Sequence, residues 1–170
     1  MVVDEELLEK LEGLPSRTFV GEIYRHTIGA RNPEVENTRG ARWNPSDVAA
    51  IYTSLERRTA VAEGNYLLDS QSPRPRVRRV VHKIRVSLRR VLDLRSVGLL
   101  NELGVDDEAL RSDDHWACQR VGEAAKHLGY DGIIVPSARA DGSNLILYPT
   151  NPREHEFEVL ESEVIDDSGK

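Results

Sequence analysis

The chain has 170 residues, 29 acidic against 23 basic side chains for a formal net charge of −6, five histidines and one cysteine, Cys118. That length suits a single domain, residues 1–170, with a core of its own. The lone cysteine excludes an internal disulfide framework and a cysteine-based zinc site, and it reads as a small buried hydrophobe.

In chain order, DEELLEKLEGLP predicts a short amphipathic helix stopped by Gly13 and Pro15, and FVGEIYRHT predicts a strand. Residues 29–47, rich in Gly, Asn and Pro, predict a long loop of the kind that carries function in a compact domain. VAAIYTS predicts a buried strand, and Thr53 with Glu56 fits a capping box opening a helix that runs to about Leu68. Val80, Ile84, Val86 and Leu88 alternate with Lys83, Arg85 and Ser87, the period of a half-buried strand, and VLDL predicts a separate one. The segment Asp114 to Gly129 is the clearest helix, with Ala117, Val121, Ala124, Ala125 and Leu128 on one face. GIIVP and NLILYP predict two strands joined by SARADGS, and EFEVLESEVI a last one. The order implies an α+β fold, a mixed and largely antiparallel sheet with inserted helices. Strict βαβα alternation and a G-x-G-x-x-G after the first strand are both missing, which argues against a Rossmann site.

No apolar run approaches a membrane span and no charged-then-apolar leader opens the chain, so a cytoplasmic protein with no membrane contact is expected. Charge is unevenly spread. Arg74, Arg76, Arg78, Arg79, Lys83, Arg85, Arg89, Arg90 and Arg95 cluster in one segment. The tail holds Glu154, Glu156, Glu158, Glu161, Glu163, Asp166 and Asp167 and reads as a frayed end. The basic segment is a contact-surface candidate; equally, it reads as a solvated strand guarded from edge pairing.

His26, His82, His115, His127 and His155 form neither H-x-H nor H-E-x-x-H, so no metal site is expected, and there is no G-x-S-x-G elbow or phosphate-binding G-x-x-x-x-G-K loop. What remains is polar residues at the ends of apolar segments: Arg25 in IYRHT, Arg42 in GARWNP, Tyr52 in IYTSL, Glu63 in TAVAEGNYLL and Ser137 in IIVPSAR. Singly, each has a structural reading: a strand-end charge, a loop stack with Trp43, a core aromatic, a turn residue after Pro136. Glu63 differs because it is the sole charge in ten otherwise neutral positions. A carboxylate buried there needs Arg or hydroxyl partners from elsewhere in the fold.

IYRHT, GARWNP, AIYTSLERRTAVAE, CQRVGEAAKHLGYDGIIVPSAR and NLILYP, taken in order over about residues 18–150, resemble the RES-domain toxins, named for an arginine, a glutamate and a serine. The resemblance implies a fold like the diphtheria-toxin-type ADP-ribosyltransferases. It implies NAD as substrate, with nicotinamide released by hydrolysis, phosphorolysis or ADP-ribosyl transfer, and no cofactor or metal beyond it. It also implies growth arrest restrained by an Xre-type helix-turn-helix antitoxin, and leaves self-association open. Carried over by motif, Arg25, Glu63 and Ser137 are the named catalytic residues, and Arg42 and Tyr52 line the substrate pocket. The arginine-rich segment Arg74–Arg79 departs from the pattern. A second reading is a non-catalytic nucleic-acid or protein-binding module using residues 74–95; it lacks the interleaved aromatics of a single-strand binder and leaves the five scattered polar residues unexplained.

Overall fold

Asp4 caps the first helix by accepting from the N–H groups of Glu6 and Leu7, and α1 (Glu5–Glu12) turns Leu7 and Leu11 into the core. The computed structural model describes residues 4–96, 98–150 and 155–165. After α1 come β1 (Ser16–Ile28), β2 (Ile51–Ser54), α2 (Arg57–Asp69), β3 (Arg79–Asp93), α3 (Leu99–Glu102), α4 (Asp107–Arg111), α5 (Trp116–His127), β4 (Gly132–Pro136), β5 (Ser143–Leu147) and β6 (Glu156–Ile165). The sheet runs β1-β2-β5-β4-β3, and β3 pairs back onto β1, so five strands close into a barrel. β6 lies along the part of β3 that β4 leaves free. Among the described pairings β3 with β4 is parallel and the others are antiparallel, in agreement with the mixed, largely antiparallel α+β expectation.

The period-2 pattern of the middle segment gives the barrel its lining: Ile23, Ile84, Val86, Ile134 and Leu145 are fully buried inside. Each such side chain contributes roughly 1.5–3 kcal/mol relative to exposure. Outside, α5 places Cys118, Val121, Ala124 and Ala125 in a second core with Ile133, Val135 and Ile146. Its Gly122 allows closer approach than any side chain would: a Cβ there would stand 1.8 Å from the Trp43 carbonyl oxygen.

Three local expectations need correction. VLDL is not a separate strand, because β3 runs unbroken from Arg79 to Asp93. Phe19 faces Leu88 and Arg17 faces Val91, so Arg89 and Arg90 together oppose Thr18 in a bulge. The Asp131 carboxylate accepts from both of their backbone N–H groups, at 2.9 and 3.0 Å, replacing the ladder bonds that a bulge forfeits. The capping box is also absent. Thr53 is held extended in β2 opposite Leu145 and its hydroxyl donates to the Leu145 carbonyl at 2.8 Å, while α2 starts after Glu56 with no side-chain cap.

The third correction concerns the described part of the acidic run, which forms the strand that EFEVLESEVI predicts and not a frayed end. β6 sets Glu161 opposite Lys83 and Glu158 opposite Arg85, and Glu163 accepts from Arg57 at 2.7 Å. Cross-strand pairs of opposite charge stabilise a ladder, so the acidic run and the basic run select one another. Elsewhere in the basic segment Arg79 is buried and donates to His26, Arg90 covers the Tyr130 ring, and Arg95 pairs with Asp93. Much of the cluster is therefore matched within the fold. Glu154, Asp166 and Asp167 lie outside the described residues.

At the β1–β3 ladder His82 faces Arg25, with its Nε2 2.8 Å from Thr27 Oγ1 and its Nδ1 2.7 Å from Ser162 Oγ. Burial, helped by the Arg25 charge, holds this imidazole below its ordinary pKa. A lowered histidine binds its proton more readily in the unfolded chain, so the associated stability is present above about pH 6.5 and is lost as pH falls from there through the lower folded-state pKa. The denaturant midpoint should drop on acidification through this window, and His82→Gln should flatten that part of the profile; an unchanged slope in the variant would remove His82 as the cause.

Candidate active site

α2 carries Thr59, Ala60, Gly64 and Leu68 on its buried side, and Glu63 lies at the rim of that stripe, half-buried. Gly64 explains the close seating. A Cβ there would fall 2.5 Å from the His26 ring, so only glycine lets α2 settle on β1 and bring Glu63 to the ends of β4 and β5. Glu63 Oε2 accepts from Asn144 Nδ2 at 3.0 Å, and the Ser137 hydroxyl stands 3.5 Å from the same oxygen, the outer limit of a hydrogen bond. Ser137 Oγ also accepts from the N–H groups of Arg139 and Ala140, which closes the turn after β4. Its turn role and its approach to Glu63 thus coexist.

Two further residues hold this arrangement. Ser54 Oγ donates to Asn144 Oδ1 at 2.8 Å across the β2–β5 ladder. Glu56 Oε2 accepts from the Thr59 hydroxyl at 3.1 Å and the Ser143 N–H at 3.3 Å, tying the start of β5 to the first turn of α2. Arg139, in the loop after Ser137, lies with its guanidinium carbon 3.3 Å from the centre of the Tyr66 ring, one turn beyond Glu63. Asn144 and Ser54 escaped the sequence reading. The available signal was a polar residue at the first step of the otherwise apolar run NLILYP.

Ladder register puts Tyr52 and Ser54 of β2 on the same face as Ile146 and Asn144 of β5, so Tyr52 is a diagonal neighbour of the Glu63 contact. The Tyr52 hydroxyl donates to Asn44 Oδ1 at 2.6 Å and accepts from the Trp43 N–H at 2.8 Å. It anchors the loop of residues 29–47 to the sheet, and its burial raises its pKa well above the ordinary phenol value despite the nearby Arg42 charge. Arg42 sits in the turn bridged by Ala41 and Asn44, and its Nη1 donates to the Ser112 carbonyl at 2.9 Å. The same guanidinium neighbours Cys118, whose thiol burial pushes up to about 11.

Arg25 follows Tyr24, which stands opposite Ser54, and its side chain belongs to the other face of β1. Its Nη1 donates to the Pro33 carbonyl at 2.7 Å, and burial with the Arg31 charge lowers its pKa to about 10, still fully cationic near neutrality. The structure thus joins Glu63 with Ser137, sets Tyr52 on their face and Arg42 beside Tyr52. Among the described contacts none ties Arg25 or Arg42 to Glu63.

A hollow of ≈ 570 Å³ opens elsewhere, lined by Asp4, Leu7, Pro45, Trp116, Gln119, Arg120 and Glu123. There Arg120 is paired to Asp4 and stacked on Trp116. Its Asp4 carboxylate is already engaged in capping α1 and in pairing with Arg120, and volume alone does not outweigh that. Among the described residues no group of three or more His, Cys, Asp or Glu is placed to hold a metal ion, and no helix is long and apolar enough to cross a membrane.

Residues 20–166 match the model of the RES domain, spanning the barrel, α2 and the Glu63–Ser137 contact. The chain belongs to the RES domain family. As a RES domain it is 26% identical to the NAD(+) phosphorylase MbcT of Mycobacterium tuberculosis (strain H37Rv), over 94% of this chain and 90% of that protein. A second relative from the same organism, the probable NAD(+) phosphorylase Rv3189, is 29% identical over 81% of this chain and 68% of its own length. The crystal structure of the M. tuberculosis MbcT–MbcA toxin–antitoxin complex superposes with a TM-score of 0.83 at 24% identity, covering 96% of this RES domain and 94% of that chain, and so shows the same fold.

Proposed function

We propose that this RES domain cleaves the nicotinamide–ribose bond of NAD and acts as the growth-arresting toxin of a toxin–antitoxin pair. The observation that carries the reading is a half-buried carboxylate, Glu63, aimed by Asn144 and Ser137 in a fold whose named relatives are NAD(+) phosphorylases. Breaking the bond from ribose C1′ to the pyridinium nitrogen develops an oxocarbenium-like cation, and a fixed carboxylate beside the sugar stabilises that charge. The bonding pair returns to the ring nitrogen, so nicotinamide leaves neutral and needs no general acid. A phosphate oxygen then bonds that ribose carbon and gives an ADP-ribosyl phosphate; with water instead, ADP-ribose forms and one proton goes to solvent.

Arg25 and Arg42 each commit one N–H to a backbone carbonyl, Pro33 and Ser112, which orients the guanidinium and leaves further donors for the pyrophosphate. Tyr52 stacks on nicotinamide, and Ser137 orients Glu63 or bonds the ribose. Kinship with the diphtheria-toxin-type ADP-ribosyltransferases belongs to the same proposal, supported by the α+β barrel with a glutamate at its rim. So do a single functional domain, cytoplasmic action on the NAD pool, and restraint by an Xre-type helix-turn-helix partner. An internally matched β3 leaves the nucleic-acid reading with little basic surface to use.

Purified protein incubated with NAD should release free nicotinamide, faster when inorganic phosphate is added and equally well with a chelator present. An ADP-ribosyl phosphate product identifies phosphate as acceptor. No nicotinamide under any of these conditions would sink the enzymatic reading, and steeply salt-dependent oligonucleotide binding in its place would favour the module.

A further inference from the structure

We propose that Asn144 is a positioning residue, which with Ser54 behind it clamps one oxygen of Glu63 and presents the other to the ribose. The inference rests on the NAD-cleaving reading of the site and adds a residue and a direction to it. An ionised carboxylate only accepts hydrogen bonds, so the amide nitrogen of Asn144 must face Glu63, as its 3.0 Å contact with Oε2 places it. The amide oxygen then faces Ser54, whose hydroxyl must donate, at 2.8 Å. The polarity of the chain is fixed at every atom: Ser54 O–H to Asn144, Asn144 N–H to Glu63.

This donor stands closer to Glu63 than Ser137 does and is itself held from behind by Ser54. Asn144 is only 9% exposed and is held on both sides, by Ser54 of β2 and Val135 of β4. The Ser137 hydroxyl is at 3.5 Å and already accepts two backbone N–H groups. Both described contacts fall on Oε2, so among the described contacts Oε1 is the oxygen left to meet a developing cation. Glu63 approaches from a helix and Asn144 from a strand, so their meeting fixes where the charge stands relative to the barrel. A transition state is served by donors and charges already in place before reaction, and a carboxylate free to rotate would lose part of that advantage.

The test has two readouts. Nicotinamide release should show Asn144→Ala lowering kcat about tenfold to 100-fold, the scale of one hydrogen bond to a charged group, with KM for NAD changed by less than about twofold. Asn144→Asp keeps the shape and the acceptor for Ser54 but turns a donor into a like charge, so it should fold and be at least as slow. Ser54→Ala, which frees the amide, should fall between the Asn144→Ala variant and the native protein. Full kcat in Asn144→Ala overturns the positioning role and leaves the reaction standing. Independently of turnover, the Asn144 side-chain amide resonance should shift in Glu63→Ala protein; an unmoved resonance shows that no clamp exists. A clamped amide in native protein that releases no nicotinamide overturns the reaction and, with it, the catalytic purpose of the clamp.

Discussion

Glu63→Gln should release nicotinamide at least about 100-fold more slowly than the native protein while binding NAD almost as well, a loss of roughly 2.7 kcal/mol or more in transition-state stabilisation. Glutamine has the same shape, and its carbonyl oxygen can still accept from Asn144 Nδ2, so the clamp and the fold survive. What disappears is the negative charge beside the sugar. No cation is bonded to Glu63 among the described contacts, so a fall in rate could not be put down to a broken ion pair. Single-turnover measurements with excess protein would separate the chemical step from binding. Normal turnover in this variant would reduce Glu63 to an acceptor that merely holds Asn144 in place.

The second large effect concerns packing. Gly122→Ala should destabilise the protein by about 3 kcal/mol or more, the upper end for forcing atoms into a filled core. The added Cβ would meet the Trp43 carbonyl oxygen at 1.8 Å and the Tyr148 hydroxyl at 2.5 Å. Tyr148 itself donates to that carbonyl at 2.8 Å, so helix, strand and loop converge on one point. Gly21→Ala is the control, since its Cβ would find only the Phe19 ring at 3.7 Å. Urea midpoints for the two should differ widely, and equal midpoints would mean that α5 can shift at no cost. Because Trp43 follows Arg42 and is tied to Tyr52, the Gly122→Ala variant should also disturb the substrate-binding side of the site in whatever fraction remains folded.

Local patterns carried far in this chain where an element's contacts are short-range. The β4–β5 hairpin, α5 and the alternation through Val86 were legible because side-chain period and turn residues are set within a dozen positions. Where long-range pairing decides, the same reasoning failed. Arg89 and Arg90 resemble a loop until Asp131, over forty residues on, takes their N–H groups. EFEVLESEVI carries a strand pattern, but only the pairing with β3 shows why its acidic residues are there, Glu161 standing opposite Lys83. Thr53 fits a capping box and is instead claimed by Leu145. At the site, motif order pointed to Glu63 and Ser137, which do meet, whereas Asn144 carries no local mark of its partner on α2. Arg25 was expected as a catalytic residue with Glu63 and Ser137, and its described bond is to Pro33.

The barrel seam between β1 and β2 has a consequence for how the molecule breathes. Those two strands share one register pair, Tyr24 with Ser54, whereas β1 and β3 are laddered from Ser16 to Ile28. Opening free energies are lowest where few backbone hydrogen bonds must part. The ring is therefore expected to open most readily along a line that ends at Ser54, the residue behind Asn144 and Glu63. The thinnest closure of the ring and the residue behind the carboxylate's donor lie on one line, so parting β1 from β2 would loosen the aim of Glu63.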